Sequence, residues 1–119
     1  SERIRVRSVV GRFLEHHRIY YFHSGGEELV YASSADWMFR NFFRRVEACF
    51  PIEDKDLRRR VLAETIELAL LDDAQAWAMQ TDGTYRRVKA GDKPVSMQLE
   101  LLEKLSERID RPKERRPAG

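Results

Sequence analysis

The chain has 119 residues, 42% of them hydrophobic and 35% charged, with a formal net charge of +2. That length holds one domain or a piece of one with a single modest core, and the balance is too apolar for disorder and too charged for a membrane span. No run reaches the roughly 18 apolar residues of a transmembrane helix, no signal peptide stands out, the lone Cys49 excludes an internal disulfide and fits a reducing compartment, and so small a positive charge does not by itself imply a polyanionic partner.

Arg3, Arg5 and Arg7 alternate with Ile4, Val6 and Ser8, the pattern of a strand with one arginine face and one partly apolar face. Solvated strand faces account for such arginines without any ligand. Next come Phe13-Leu14-Glu15-His16-His17-Arg18-Ile19-Tyr20-Tyr21-Phe22, a Gly25-Gly26 turn, and Val30-Tyr31-Ala32-Ser33-Ser34-Ala35-Asp36-Trp37-Met38. In a strand His16 and Arg18 share a face. A hairpin centred on the two glycines sets Arg18 roughly opposite Ser33 and His16 roughly opposite Ala35, which gathers an imidazole, a guanidinium and two hydroxyls. An imidazole titrates near neutral pH and can protonate a leaving oxygen, and a guanidinium can hold phosphate oxygens through two parallel hydrogen bonds. The cluster therefore suits phosphoryl transfer, in which the protein mainly positions groups and neutralises charge.

Neighbouring residues carry alternative readings. Glu15 either orients His16 or is simply exposed. Asp36 holds Arg18, holds an imidazole, or caps the turn at Trp37. Ser33 and Ser34 donate to phosphate or close the strand end. His17 and His23 read as surface or packing residues, and Tyr20, Phe22 and Trp37 as core, with Trp37 also placed to stack on a base. Arg12, Arg18, Arg40, Arg44 and Arg45 concentrate positive charge around this region, enough to draw a dense linear anion. No Gly-rich phosphate loop occurs, and the three histidines lack Cys or carboxylate partners at metal-ligand spacing.

Beyond the cluster, Arg44 to Ile52 predicts a strand with Val46, Ala48 and Phe50 on one face, ended by Pro51. Asp54 caps a helix through about Leu71, with Leu57, Val61, Leu62, Thr65, Ile66 and Ala69 on its apolar stripe. Residues 74–80 and 85–89 flank Thr81-Asp82-Gly83-Thr84, a hairpin signal. Ser96 caps a last helix whose Met97, Leu101, Leu105 and Ile109 share a face. Residues 111–119, rich in Arg, Lys and Pro, predict a disordered basic tail after a domain spanning 1–110.

Taken in order, Arg12 to His16, Gly25-Gly26, Ser34 to Met38, Arg40-Asn41 and Arg44 to Glu47 resemble the C-terminal catalytic region of the ATP-dependent polyphosphate kinases, whose fold is similar to phospholipase D. His16-x-Arg18 and Ser34-x-Asp36 stand where the wider phospholipase D group carries His-x-Lys and Ser-x-Asn. Phe39 stands where the kinases usually have proline. The resemblance implies an α+β fold, the C-terminal part of a phospholipase D-like domain, with a mixed sheet packed by helices. It implies an enzyme that reversibly transfers the terminal phosphate of ATP to polyphosphate through a phosphohistidine outside this chain. His16 would be the catalytic residue, and His16, Arg18, Ser33, Ser34 and Asp36 the ATP and phosphate ligands. Mg2+ is expected, with its ligands outside this chain. The implied partners are ATP or ADP, inorganic polyphosphate and the rest of the parent enzyme, which is expected to be a homo-oligomer; no nucleic acid is expected. The implied location is cytoplasmic, including the inner membrane face. Because the family's enzymes are several times longer, the chain is expected to be a C-terminal piece that does not turn over substrate unaided.

Two other functions fit the same residues. A phospholipase D-like phosphodiesterase half would cleave a diester of nucleic acid or lipid head groups without nucleotide. A non-catalytic polyanion-binding module would bind with steep salt dependence and would survive loss of His16.

Overall fold

The computed structural model describes residues 3–110, so the expected tail, 111–119, lies outside the described residues. The fold is α+β as expected, but the strands form two separate three-stranded sheets in place of one mixed sheet. One contains β1 (Arg7–Val9), β5 (Ala76–Met79) and β6 (Tyr85–Arg87); the other contains β2 (Ile19–Ser24), β3 (Glu27–Ser33) and β4 (Cys49–Pro51). Among the described residues every pairing is antiparallel. For β2–β3 and β5–β6 the physical reason lies in the connections, which turn back at once where parallel neighbours need a crossover of roughly a dozen residues or more. The two sheets belong to different compact units, Phe13–Leu70 and the pair of segments Ser1–Arg12 and Leu71–Gly119.

In the Phe13–Leu70 unit, Gly25 and Gly26 take φ of 60° and 90°. Those are the two left-handed conformations of a type I′ turn, the two-residue connection whose twist matches antiparallel strands. The register follows, with Ile19 opposite Ala32 and Tyr21 opposite Val30. Val30 is buried on the resulting sheet, along with Ala35, Leu62 and Leu68 elsewhere in the unit. Between β3 and β4 lies a helix that the periodicity does not reveal, α1 (Phe39–Arg44). At six residues it is too short to show an amphipathic repeat. Consequently the strand expected from Arg44 to Ile52 shrinks to Cys49–Pro51, and Val46 is fully exposed.

Asp54 caps the following helix as predicted, its Oδ1 accepting from the Leu57 N–H at 2.8 Å. The helix runs as α2 (Lys55–Leu62), a widened π turn over Ala63–Glu67, and α3 (Leu68–Leu71). Within the π turn the Thr65 hydroxyl donates back to the Val61 carbonyl at 2.7 Å, a bond that competes with regular helix geometry. Leu57 is solvent exposed, so the apolar stripe begins a turn later than predicted.

In the other unit the Asp82-Gly83 hairpin forms as expected, with Gly83 at φ 83° and the Asp82 carboxylate accepting from the N–H and the hydroxyl of Thr84. The last helix, α4 (Met97–Asp110), starts where predicted but under a different cap. The Met97 N–H donates to Asp72 Oδ2 at 2.8 Å, while Ser96 Oγ turns to Gln75. Buried Asp72 thus takes the place expected for Ser96, because its Oδ1 is also fixed by the Gln75 N–H at 2.7 Å and its carbonyl by Arg7. Arg7 is therefore a half-buried tie; Arg3 and Arg5 are exposed outside β1.

Candidate active site around His16

The hairpin brings His16, Arg18, Ser33, Ser34 and Asp36 to one end of the β2–β3–β4 sheet. Continuing the observed register past Ile19 and Ala32 puts Arg18 opposite Ser33, and the Ser33 N–H donates to the Arg18 carbonyl at 2.9 Å. His16 and His17 precede β2 and are exposed. Among the described residues no hydrogen bond is formed to the His16 imidazole, and its carbonyl accepts from Arg18 Nη1.

Arg18 and Asp36 meet directly. Arg18 Nε donates to Asp36 Oδ1 at 2.7 Å, and Nη2 donates to the same oxygen. Of the readings open for Asp36, holding Arg18 is the one its side chain adopts, while its carbonyl accepts from the Met38 N–H at 2.7 Å. Glu15 does not reach His16. Its Oε2 lies 3.0 Å from His17 Nδ1, the i,i+2 pairing that extended backbone favours over the adjacent i,i+1 one.

The two hydroxyls are also engaged. Ser33 Oγ accepts from the Ala35 N–H at 3.1 Å, closing a tight turn. Ser34 Oγ donates to Glu47 Oε2 and accepts from the Ala48 N–H at 3.0 Å, and the Ser34 N–H donates to the Ala48 carbonyl at 3.0 Å. Ser34 therefore ties the Asp36 loop to the segment entering β4. Its hydroxyl takes the Ala48 N–H that a backbone carbonyl would otherwise accept, and β4 begins only at Cys49.

Two residues of the constellation were not among the predicted site residues. Asn41, buried on α1, donates from Nδ2 to the Asp36 carbonyl at 3.1 Å. Glu47 is the acceptor for Ser34. Both lie in the motif run, but their partners are 5 and 13 positions away with a helix between, so no local spacing could name them. Trp37 and Phe22, expected in the core, are exposed. Trp37 Nε1 donates to the Tyr20 hydroxyl at 2.7 Å, and its ring meets Phe42 edge-on at 6.2 Å. His17, Arg18, Tyr20 and Trp37 line a shallow cleft of about 310 Å³ beside the site.

Arg40, Arg44 and Arg45 are exposed, and among the described residues their side chains form no hydrogen bond or ion pair, which leaves the guanidinium groups free for an anion. By contrast, a larger hollow of about 680 Å³ on the same unit has most of its cations occupied. Arg59 is paired with Glu67, which raises its pKa, and Arg58 donates to the carbonyls of Glu28 and Glu53. There the Tyr21 hydroxyl donates to Glu28 at 2.9 Å, and that bond pushes the phenol above its ordinary value.

A family model described as polyphosphate kinase C-terminal domain 2 matches residues 1–98. The chain belongs to the polyphosphate kinase family. It is 62% identical over 104 residues to the polyphosphate kinase of Burkholderia vietnamiensis and 60% identical over 104 residues to that of Paraburkholderia phytofirmans. Each alignment covers 87% of this chain and 15% of the relative, so the chain spans a small part of the polyphosphate kinases it matches. The fold is similar to the crystal structure of polyphosphate kinase from Porphyromonas gingivalis, with a TM-score of 0.78 and 37% identity over 87% of this chain and 16% of that one. The architecture of this polyphosphate kinase domain is therefore phospholipase D-like, with the His16 cluster at one end of a sheet.

Proposed function

We propose that the chain forms the C-terminal part of a polyphosphate kinase that reversibly passes the terminal phosphate of ATP to polyphosphate through a phosphohistidine formed elsewhere in the parent enzyme. The observation that carries this reading is the His16 imidazole, exposed and without a hydrogen bond among the described residues, held beside the Arg18–Asp36 pair in a chain of this family. A group in that state is ready to meet a phosphate oxygen. As an imidazolium it would donate its proton to the oxygen leaving with the nucleotide, and in the reverse direction it would take the proton back.

The phosphates themselves would be drawn by Arg40, Arg44 and Arg45, whose charge is not offset within the described residues, more than by Arg18, whose charge is. Ser34 would hold the loop through Glu47 and Ala48. Mg2+ would neutralise charge on the nucleotide phosphates. Asp36 is committed to Arg18, and the family resemblance leads us to expect the ion's protein ligands in the rest of the parent enzyme.

The test is ATP formation from ADP and polyphosphate by the full-length parent. His16→Ala is expected to lower kcat at least about a hundredfold with the fold intact, the scale of a lost proton donor. His16→Gln separates proton transfer from phosphate contact, since the amide can hold an oxygen and cannot protonate it. A parent that makes no ATP would sink the reading and make diester hydrolysis the next assay.

A further inference from the structure

We propose that Asp36, held by Asn41, is a positioning residue that makes Arg18 a clamp on the His16 backbone, so that Arg18 aims the imidazole instead of gripping phosphate. The inference rests on the kinase reading for its consequence in turnover, and on geometry alone for the clamp.

Arg18 has five N–H groups, and three are already taken. Nε and one Nη2 proton go to Asp36 Oδ1, and one Nη1 proton goes to the His16 carbonyl. The Nε–Nη2 edge is one of the two with which a guanidinium grips a phosphate in bidentate fashion, and here a carboxylate fills it. The pair is close to neutral, so it draws a polyanion far less than a free arginine does. Asp36 would itself repel phosphate if it faced one. Holding Arg18 explains why an acid stands in a site built for anions.

The clamp has a mechanical consequence. The Asn41 amide fixes the Asp36 carbonyl at 3.1 Å from within a buried position, and the Asp36 side chain fixes Arg18. Arg18 then fixes the carbonyl of His16. Holding that carbonyl restrains the ψ of His16, and with it the direction in which the imidazole leaves the backbone. His16 precedes β2 and no sheet ladder orients it, so this chain of three links supplies the alignment that a strand would otherwise give. A reacting group misplaced by about 1 Å loses on the order of a hundredfold in rate, which sets the scale of the effect.

The experiment is a double-mutant cycle in the full-length parent with Arg18→Gln, Asp36→Asn and the pair together, followed by ATP formation and by thermal unfolding. The clamp predicts that each single change lowers kcat about tenfold or more, that KM for ADP and polyphosphate moves less than about threefold, and that the double variant is no worse than the worse single one. Arg18→Lys, which keeps the charge but cannot bridge Asp36 and the His16 carbonyl with a planar fork, is expected not to restore kcat. The proposal is overturned if Arg18→Gln raises KM tenfold or more at unchanged kcat, if Arg18→Lys restores activity, or if Asp36→Asn leaves turnover intact. Should the wild-type parent make no ATP, the kinase reading fails separately, and the cycle in Tm decides the clamp: coupled losses support it and additive losses overturn it.

Discussion

Asp73 accepts hydrogen bonds from the backbone N–H groups of Gly91 at 2.8 Å and Val95 at 2.7 Å, and these hold its carboxyl below the ordinary carboxylate range. A lowered folded pKa means that the stabilisation is fully present above the unfolded pKa, near about 3.9 for an aspartate, and is lost as pH falls through the folded value. Asp73→Asn keeps one acceptor and turns the other into a donor facing an N–H. Its Tm deficit is therefore expected to stay constant from neutral pH down to about 5 and to close below about 4; a deficit unchanged at low pH would show that the charge is not responsible. Residues such as Asp73 and Asp72 could not be singled out from sequence, because their partners are backbone N–H groups as far as 22 and 25 positions away. Arg18 and Asp36 were more legible. The glycine turn sets the register, the register sets Arg18 opposite Ser33, and Asp36 lies one short turn beyond. Glu15 pairs with His17, two positions on, as i,i+2 alternation allows, and not with the adjacent His16.

Among the elements, those governed by local backbone chemistry were readable. Gly25-Gly26 and Asp82-Gly83 demand positive φ, and Asp54 supplies an N-cap, so both hairpins and the α2 start stand where the sequence puts them. Elements set by distant contacts were not: α1 is too short to carry a period, β4 is trimmed by the Ser34 hydroxyl, and α4 takes its cap from Asp72. That last substitution of roles is testable. Asp72 is fully buried and accepts from Met97 and Gln75, so Asp72→Ala strands one buried and one part-buried N–H group, at about 1–3 kcal/mol each before relaxation. Urea denaturation is expected to show a loss of about 3 kcal/mol for Asp72→Ala and under about 1 kcal/mol for Ser96→Ala. The reverse ranking would return the cap to Ser96.

At the scale of the whole chain, a small core stands against a large exposed apolar surface. Among the described residues the buried hydrophobic ones are Val30, Ala35, Leu62 and Leu68 in the Phe13–Leu70 unit, and Ala76 and Met97 in the other. In the Phe13–Leu70 unit Trp37 is 80% exposed, Phe43 72% and Val46 102%, and the rings of Phe39 and Phe43 stack on each other at 4.6 Å. Neighbouring apolar side chains exposed to this extent leave a chain prone to association in water. The isolated chain is therefore expected to bind a hydrophobic dye and to sediment as species larger than a monomer at high micromolar concentration. Phe43→Glu with Val46→Glu should reduce both while shifting stability by no more than about 0.5 kcal/mol per site, because neither side chain is buried in the unit. A monomeric, dye-silent wild-type chain would mean that this surface is not sticky in water. A large drop in Tm for the double variant would instead mean that Phe43 and Val46 support the fold, which their exposure argues against.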